Sequence, residues 1–196
     1  MRVPVRTLDL FVLRDFLAAE ESEALIKLVD ATRRPSTIAD DLGYSAFRTS
    51  ETGDLEGAEP LVAETEARIA GLLGLDPALG EPLQGQRYAP GQEFKPHTDT
   101  FEPGRHDYFV HCADTGNRTW TAMIYLNDVE EGGATRFKAI GKTIRPERGK
   151  LIAWNNLLPG GEPNAATLHQ GMKVRRGVKY VLTKWFRERP SGEGAR

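Results

Sequence analysis

The sequence predicts an α+β, mainly β chain: a sandwich or barrel of short strands with helices packed on one side. Three observations predict it. Two early stretches carry apolar residues at helical spacing, and the chain from Leu83 onward alternates with the period of strands. Gly-, Pro- and Asn-rich turns punctuate that second part, and many short strands after two helices imply such a layered arrangement.

At 196 residues the chain is long enough for one compact domain with a real core. Its single cysteine, Cys112, closes no intramolecular disulfide, which fits a reducing compartment and sets the cytoplasm as the expectation. The opening "MRVPVRTLDLFVLRDFL" is broken by Arg6, Asp9 and Arg14, so it reads as neither a secretory leader nor a membrane span. A net charge of −2, with both signs mixed along the chain, gives no footprint for a nucleic-acid backbone. Neither nucleic acid nor membrane is expected as a partner.

"TLDLFVL" reads as a short strand. A helix follows from Ala18 to about Arg33, with Leu25, Leu28 and Val29 sharing a face. A second runs from about Glu59 to Leu73, where Leu61, Thr65, Ile69 and Leu72 repeat with the same period. Residues 35–58 between them are rich in Ser, Thr, Gly and Asp; they predict a loop with at most short strands, of a length that suits a lid. Strands are expected at "LQGQRYA", "TWTAMIYLND", "ATRFKAI", "KLIAWNNL", "HQGMKVRR" and "VKYVLTKWF", with Arg175, Arg176 and Gly177 as the hairpin turn between the last two. One domain should cover 1–189, with 1–82 as helical support and lid loop and 83–189 as the barrel core. Residues 190–196 are expected to be a disordered tail.

The polar stretch "QEFKPHTDTFEPG" sets His97 and Asp99 two residues apart, and in an extended segment such side chains point the same way. Two histidines and one carboxylate with open positions form the arrangement of non-haem iron(II) oxygenases. His106 and His111 lie in the loop "GRHDYFVHCADTG", whereas His169 opens a late strand. His169 is the stronger third ligand, because a barrel brings a late strand beside an earlier one on rigid backbone. Further on, Lys179, Val181, Thr183 and Trp185 share one face of the last strand, with Lys184 on the other. A lysine on an apolar and aromatic face points to an anion, since burying an ammonium alone is costly, while spacing alone equally allows it to snorkel to the barrel rim.

The stretches "EPLQGQRYAPGQEFKPHTD", "RTWTAMIYLNDVEEGGATRF", "GKLIAWNNLLPGGEPNAATLHQGMKV" and "GVKYVLTKWFRE", with "FLAAEESEALIKLVD" and "FRTSETG" before them, resemble the catalytic domain of prolyl 4-hydroxylases. These are iron(II)- and 2-oxoglutarate-dependent dioxygenases, and the resemblance runs from about residue 9 to 188. It implies a double-stranded β-helix, a jelly-roll, cupin-like barrel with flanking N-terminal helices. It also implies His97, Asp99 and His169 as iron ligands, and Tyr88, Thr135 and Lys179 around the distal carboxylate of 2-oxoglutarate. Arg48, Glu81, Arg118 and Trp185 match positions along a peptide groove. The implied reaction consumes 2-oxoglutarate and O2, yields succinate and CO2, and hydroxylates proline at C4 in a protein or peptide, with ascorbate as reductant. Two positions depart from the pattern: Phe94 stands where relatives often carry tyrosine, and Arg187 where some carry histidine. Those departures leave open the same oxygenase chemistry on another residue or a small molecule; a reading from a different class is a non-catalytic metal-binding module.

Overall fold

In the computed structural model, which describes residues 1–3, 7–36, 47–55 and 59–192, the chain begins with β1 (Leu10–Leu13), α1 (Ala19–Thr32), β2 (Arg33–Pro35), β3 (Glu51–Asp54) and α2 (Pro60–Leu73). Next come β4 (Gln84–Tyr88), β5 (Phe94–His97), α3 (His106–Cys112), β6 (Arg118–Tyr125), β7 (Glu131–Gly132), β8 (Thr135–Phe137) and β9 (Lys142–Ile144). The last strands are β10 (Leu151–Asn155), β11 (His169–Gly171), β12 (Val174–Arg176) and β13 (Lys179–Arg187). Both predicted helices form close to their expected bounds. In α1 the acidic Glu20 and Glu21 sit in the first turn, where the helix dipole favours them, and Glu21 accepts the Ala18 N–H at 2.6 Å. In α2, Pro60 opens the helix, and Gly74, at φ 65°, closes it by donating its N–H back to the last turn.

A seven-stranded sheet in the order β1-β10-β6-β13-β4-β3-β2 and a four-stranded sheet in the order β5-β11-β8-β9 carry the fold, and their pairings are antiparallel. Strict alternation along the central strands sorts side chains to two sides of the large sheet. Ala122 and Ile124 of β6, Leu151 and Ala153 of β10, and Leu182 and Phe186 of β13 pack with Leu25 and Val29 of α1 and with Val62 and Ile69 of α2. The intervening residues Met123, Tyr125, Ile152, Trp154 and Val181 form a second cluster with Phe137 of the small sheet. The two sheets therefore share a core on the side away from the helices, which is the jelly-roll arrangement.

Three expectations need correction. The segment "HQGMKVRR" is two strands rather than one: β11 pairs in the small sheet, while β12 leaves it to pair with β7. Arg175 and Arg176 belong to β12, and only Gly177, at φ 83°, turns the chain before β13. The first 82 residues are not purely helical support, because β1, β2 and β3 all join the large sheet. Most of the expected lid, residues 37–46 and 56–58, and the end of the expected tail, residues 193–196, lie outside the described residues.

Helix α1 sits against the large sheet through two glycines. Gly53 of β3 and Gly85 of β4 are directly opposed, and a Cβ on Gly53 would come within 2.9 Å of the Val29 carbonyl oxygen. A Cβ on Gly85 would run into the Val29 side chain. Gly85→Ala should therefore lower stability by about 1–3 kcal/mol, the usual cost of overpacking. Urea denaturation checks this, and Gly85→Ala combined with Val29→Ala should lose less than the sum of the two single changes.

Candidate metal centre and its cavity

The register between β5 and β11 builds the centre. His97 and His169 are direct cross-strand partners, and their ring centroids lie 4.3 Å apart. Each ring is oriented by its own backbone: His97 Nδ1 donates to the Lys95 carbonyl at 2.7 Å, and His169 Nδ1 donates to the Thr167 carbonyl at 2.9 Å. With both Nδ1 atoms engaged, each Nε2 lone pair is left for a metal. Asp99 lies two residues past the end of β5, in a bend, so the pair does not meet along one extended strand as the spacing predicts. The carboxylate still arrives, with Oδ1 3.9 Å from His97 Nε2. Ligand atoms from all three side chains lie within 4.8 Å of one another.

Burial pushes His97 down to about 3, with His169 adding to the effect, so its ring is neutral. Burial alone would raise Asp99, but His169, His97, Arg118 and the Thr121 hydroxyl together hold it below the usual carboxylate range. Two imidazole nitrogens and one carboxylate are the donor set a divalent first-row metal takes. His106 and His111 are elsewhere: they lie in α3, a helix where a loop was expected, and His111 stacks on Phe101 at 4.9 Å.

The cavity beside this triad is walled by Arg48, Tyr88, Phe94, Thr135, Trp154, Gly171, Lys179 and Trp185, among others. Lys179 is 2% exposed and directly opposes Tyr88 across β13 and β4. Its ammonium lies 5.1 Å from the Tyr88 ring centre and 5.4 Å from that of Tyr125, with no carboxylate beside it among the described residues. Burial pushes it down to about 7. Thr135 accepts a hydrogen bond from Tyr125 at 2.7 Å, which leaves its own hydroxyl hydrogen to donate inward. Gly171 supplies the space, since a Cβ there would stand 3.8 Å from Lys179 Nζ. A carboxylate fits this cradle of one cation and neighbouring hydroxyls. Tyr125 went unread in the sequence, although the alternation Thr121, Met123, Tyr125 pointed it inward.

The expected groove residues divide. Arg48 and Trp185 stand on the cavity wall. Arg48 bonds Ser50 at 3.1 Å and Thr52 at 3.2 Å and lies over the Phe94 ring, which itself stacks on His97 at 3.5 Å. Glu81 and Arg118 do not line this cavity. Arg118 spends two nitrogens on Glu81, at 2.7 and 2.8 Å, and packs 3.9 Å from the centre of Trp185. Arg187 grips the same carboxylate at 2.6 Å, so Glu81 is held between two guanidiniums behind the wall. Lys184, on the opposite face of the strand, is 5% exposed and bonds Glu66 of α2 at 2.5 Å.

The pattern of the 2OG-Fe(II) oxygenase superfamily matches residues 83–187. The chain is 35% identical to prolyl 4-hydroxylase subunit alpha-1 of Gallus gallus over 180 residues, which are 89% of this chain and 35% of that protein. The Homo sapiens subunit alpha-1 is likewise 35% identical, over 89% of this chain and 34% of its own length. This chain thus spans about a third of those relatives. Among solved structures, a viral collagen prolyl hydroxylase from Paramecium Bursaria Chlorella virus-1, in its 2OG complex, matches with TM-score 0.73 and 24% identity, over 91% of this chain and 95% of that one. A Pseudomonas putida prolyl-4-hydroxylase matches with TM-score 0.61 and 20% identity, over 92% of both chains. Those two likenesses bear on the fold alone.

The burial of Lys179 predicts a pH signature. Unfolded, Lys179 holds its proton up to about 10.5; folded and without an anion, it releases it above about 7. The fold therefore binds fewer protons between those values, and the stability this lysine allows at high pH is lost as pH falls from 10.5 to 7. Lys179→Met should stabilise the metal-free protein most below about pH 7, with the advantage fading at higher pH. Urea melts of both proteins at about pH 6.5 and about pH 9.5 measure it; a gain that grows with pH is the opposite of what this burial requires.

Proposed function

We propose that this chain, a member of the 2OG-Fe(II) oxygenase superfamily, is a 2-oxoglutarate-dependent dioxygenase that hydroxylates proline at C4 within a protein or peptide. The observation that carries the reading is one cavity holding both the His97, Asp99 and His169 cluster and a buried lysine with no counter-charge among the described residues. The 35% identity to prolyl 4-hydroxylase alpha-1 subunits supports proline as the target.

His97, Asp99 and His169 would hold iron(II), and Tyr88, Thr135 and Lys179 would hold the distal carboxylate of 2-oxoglutarate. The metal, when bound, couples oxidative decarboxylation of 2-oxoglutarate to succinate and CO2 with insertion of one oxygen atom into a C–H bond. Binding the diacid places its carboxylate against Lys179, which restores the charge that burial disfavours. Occupation of the cradle also removes water from the inner end of the cavity. On the outer side Arg48 presents a guanidinium whose partners are neutral hydroxyls and an amide, free to donate to a peptide carbonyl. Trp185 offers a flat apolar wall suited to a proline ring, kept in place by Arg118 stacked on it. Glu81 and Arg118 act through that wall. We also place the protein in the cytoplasm, a reading supported by the single free, buried Cys112.

One observation favours a second substrate. Phe94 puts a bare ring against His97 where a phenol would offer a hydrogen bond, so the same chemistry could act on a different residue or a small molecule. Succinate formation with iron(II) establishes turnover, and a 16 Da gain localised to proline in a peptide, by about one oxygen per turnover, decides between the two targets.

Two variants test the assignments. Lys179→Met should raise the 2-oxoglutarate requirement by a hundredfold or more, since leaving a buried charge unpaired costs about 3–5 kcal/mol. Arg48→Ala should reduce peptide hydroxylation far more than peptide-independent succinate formation. Equal losses of both products would move Arg48 from substrate binding to cosubstrate binding or folding.

A further inference from the structure

Asp99 offers a metal two oxygens, and the fold treats them differently. Its Oδ2 accepts a hydrogen bond from Thr121 Oγ1 at 2.7 Å. Its Oδ1 faces His97 Nε2 and receives no hydrogen bond among the described residues. Thr121 lies on β6, in the opposite sheet from the two histidines, and is fully buried. Behind it Asn156, also fully buried, donates Nδ2 to Thr121 Oγ1 at 2.8 Å.

The direction of these bonds follows from counting hydrogens. An ionised carboxylate only accepts, so the single hydroxyl hydrogen of Thr121 must go to Asp99. The amide on the far side of Thr121 must then present its nitrogen, not its oxygen. That orientation leaves Asn156 Oδ1 buried without a partner, and a buried orphan acceptor calls for a reason. The amide is not free to escape it, because the Asn156 backbone is pinned on both sides: its N–H donates to the Thr119 carbonyl at 2.7 Å, and its carbonyl accepts from Asn164 at 2.8 Å. The fold tolerates an unsatisfied oxygen in order to keep a donor aimed at Thr121.

We propose that Thr121 and Asn156 are positioning residues that engage Asp99 Oδ2, so that Oδ1 alone meets the metal. A carboxylate bound through both oxygens would consume a coordination position that cosubstrate or oxygen needs; one held at Oδ2 by a hydroxyl keeps that position open. This inference rests on the metal centre described above and deepens it.

The test uses the metal-free protein and two probe metals, with no turnover. Thr121→Val keeps the shape of the side chain and removes the donor. It should weaken Mn(II) binding, followed by the free-ion electron paramagnetic resonance signal, by roughly tenfold to a hundredfold. It should also shift the visible absorption of bound Co(II) toward a higher coordination number. Thr121→Ser should bind and absorb like wild type, and Asn156→Leu should move in the same direction as Thr121→Val while adding little to it in the double variant. Wild-type Mn(II) affinity and an unchanged Co(II) spectrum in Thr121→Val overturn the proposal, as does a serine variant as weak as the valine one. Failure of wild type to take up Mn(II) would overturn the metal centre itself, and this proposal with it.

Discussion

The antiparallel register of β5 against β11 is the constraint from which the site follows. It sets His97 opposite His169, so two ligands from distant parts of the chain are placed by backbone pairing rather than by side-chain reach. Each ring then needs only one local bond, to a carbonyl two residues back, to present the correct nitrogen. A slip of one residue would turn one histidine to the other face and dismantle the pair. The third ligand comes from a bend that carries Asp99 across to Thr121 of the large sheet. The metal centre is thus a joint between two sheets.

The large sheet sets the second half of the chemistry through alternation. Along β13, Lys179 and Trp185 face the cavity, while Leu182 and Phe186 face the helices. The same strand supplies Lys179 and Trp185 to the cavity wall and seals the core, and those two residues inherit its rigidity. Lys179 carries the tension in this arrangement. Its burial opposes its own charge, so without an anion beside it the fold is held back at neutral pH.

Much of this was legible in the sequence. Both helices, most of the strands and the roles open to His97, Asp99, His169 and Lys179 follow from period, spacing and the cost of burying charge. The misreadings have a common physical cause: pattern reports which way a side chain points but not which strand lies beside it. "HQGMKVRR" alternates as one strand, yet Met172 and Lys173 interrupt the pairing and send its ends to different sheets. The pairing of Glu81 with Arg118 was likewise invisible, because a polar pair separated in sequence does not announce that its members are bound to each other. Thr121 and Asn156 escaped because neither hydroxyl nor amide is conspicuous until the carboxylate between the sheets is located.

The two borders of the large sheet have a consequence for how the protein behaves in crowded solution. At one border, residues 1–3 pair back onto β1, with the Val3 N–H on the Leu10 carbonyl and the Val12 N–H on that of Met1. At the other, β2 is only Arg33, Arg34 and Pro35, all exposed, so two cations and a residue with no N–H stand at its rim. Growth of a sheet by annexing a neighbour's strand needs a long, flat, neutral row of unpaired amides, and among the described residues neither border supplies one. The described margins of the sheet thus discourage edge-to-edge pairing, while its centre lines the cavity.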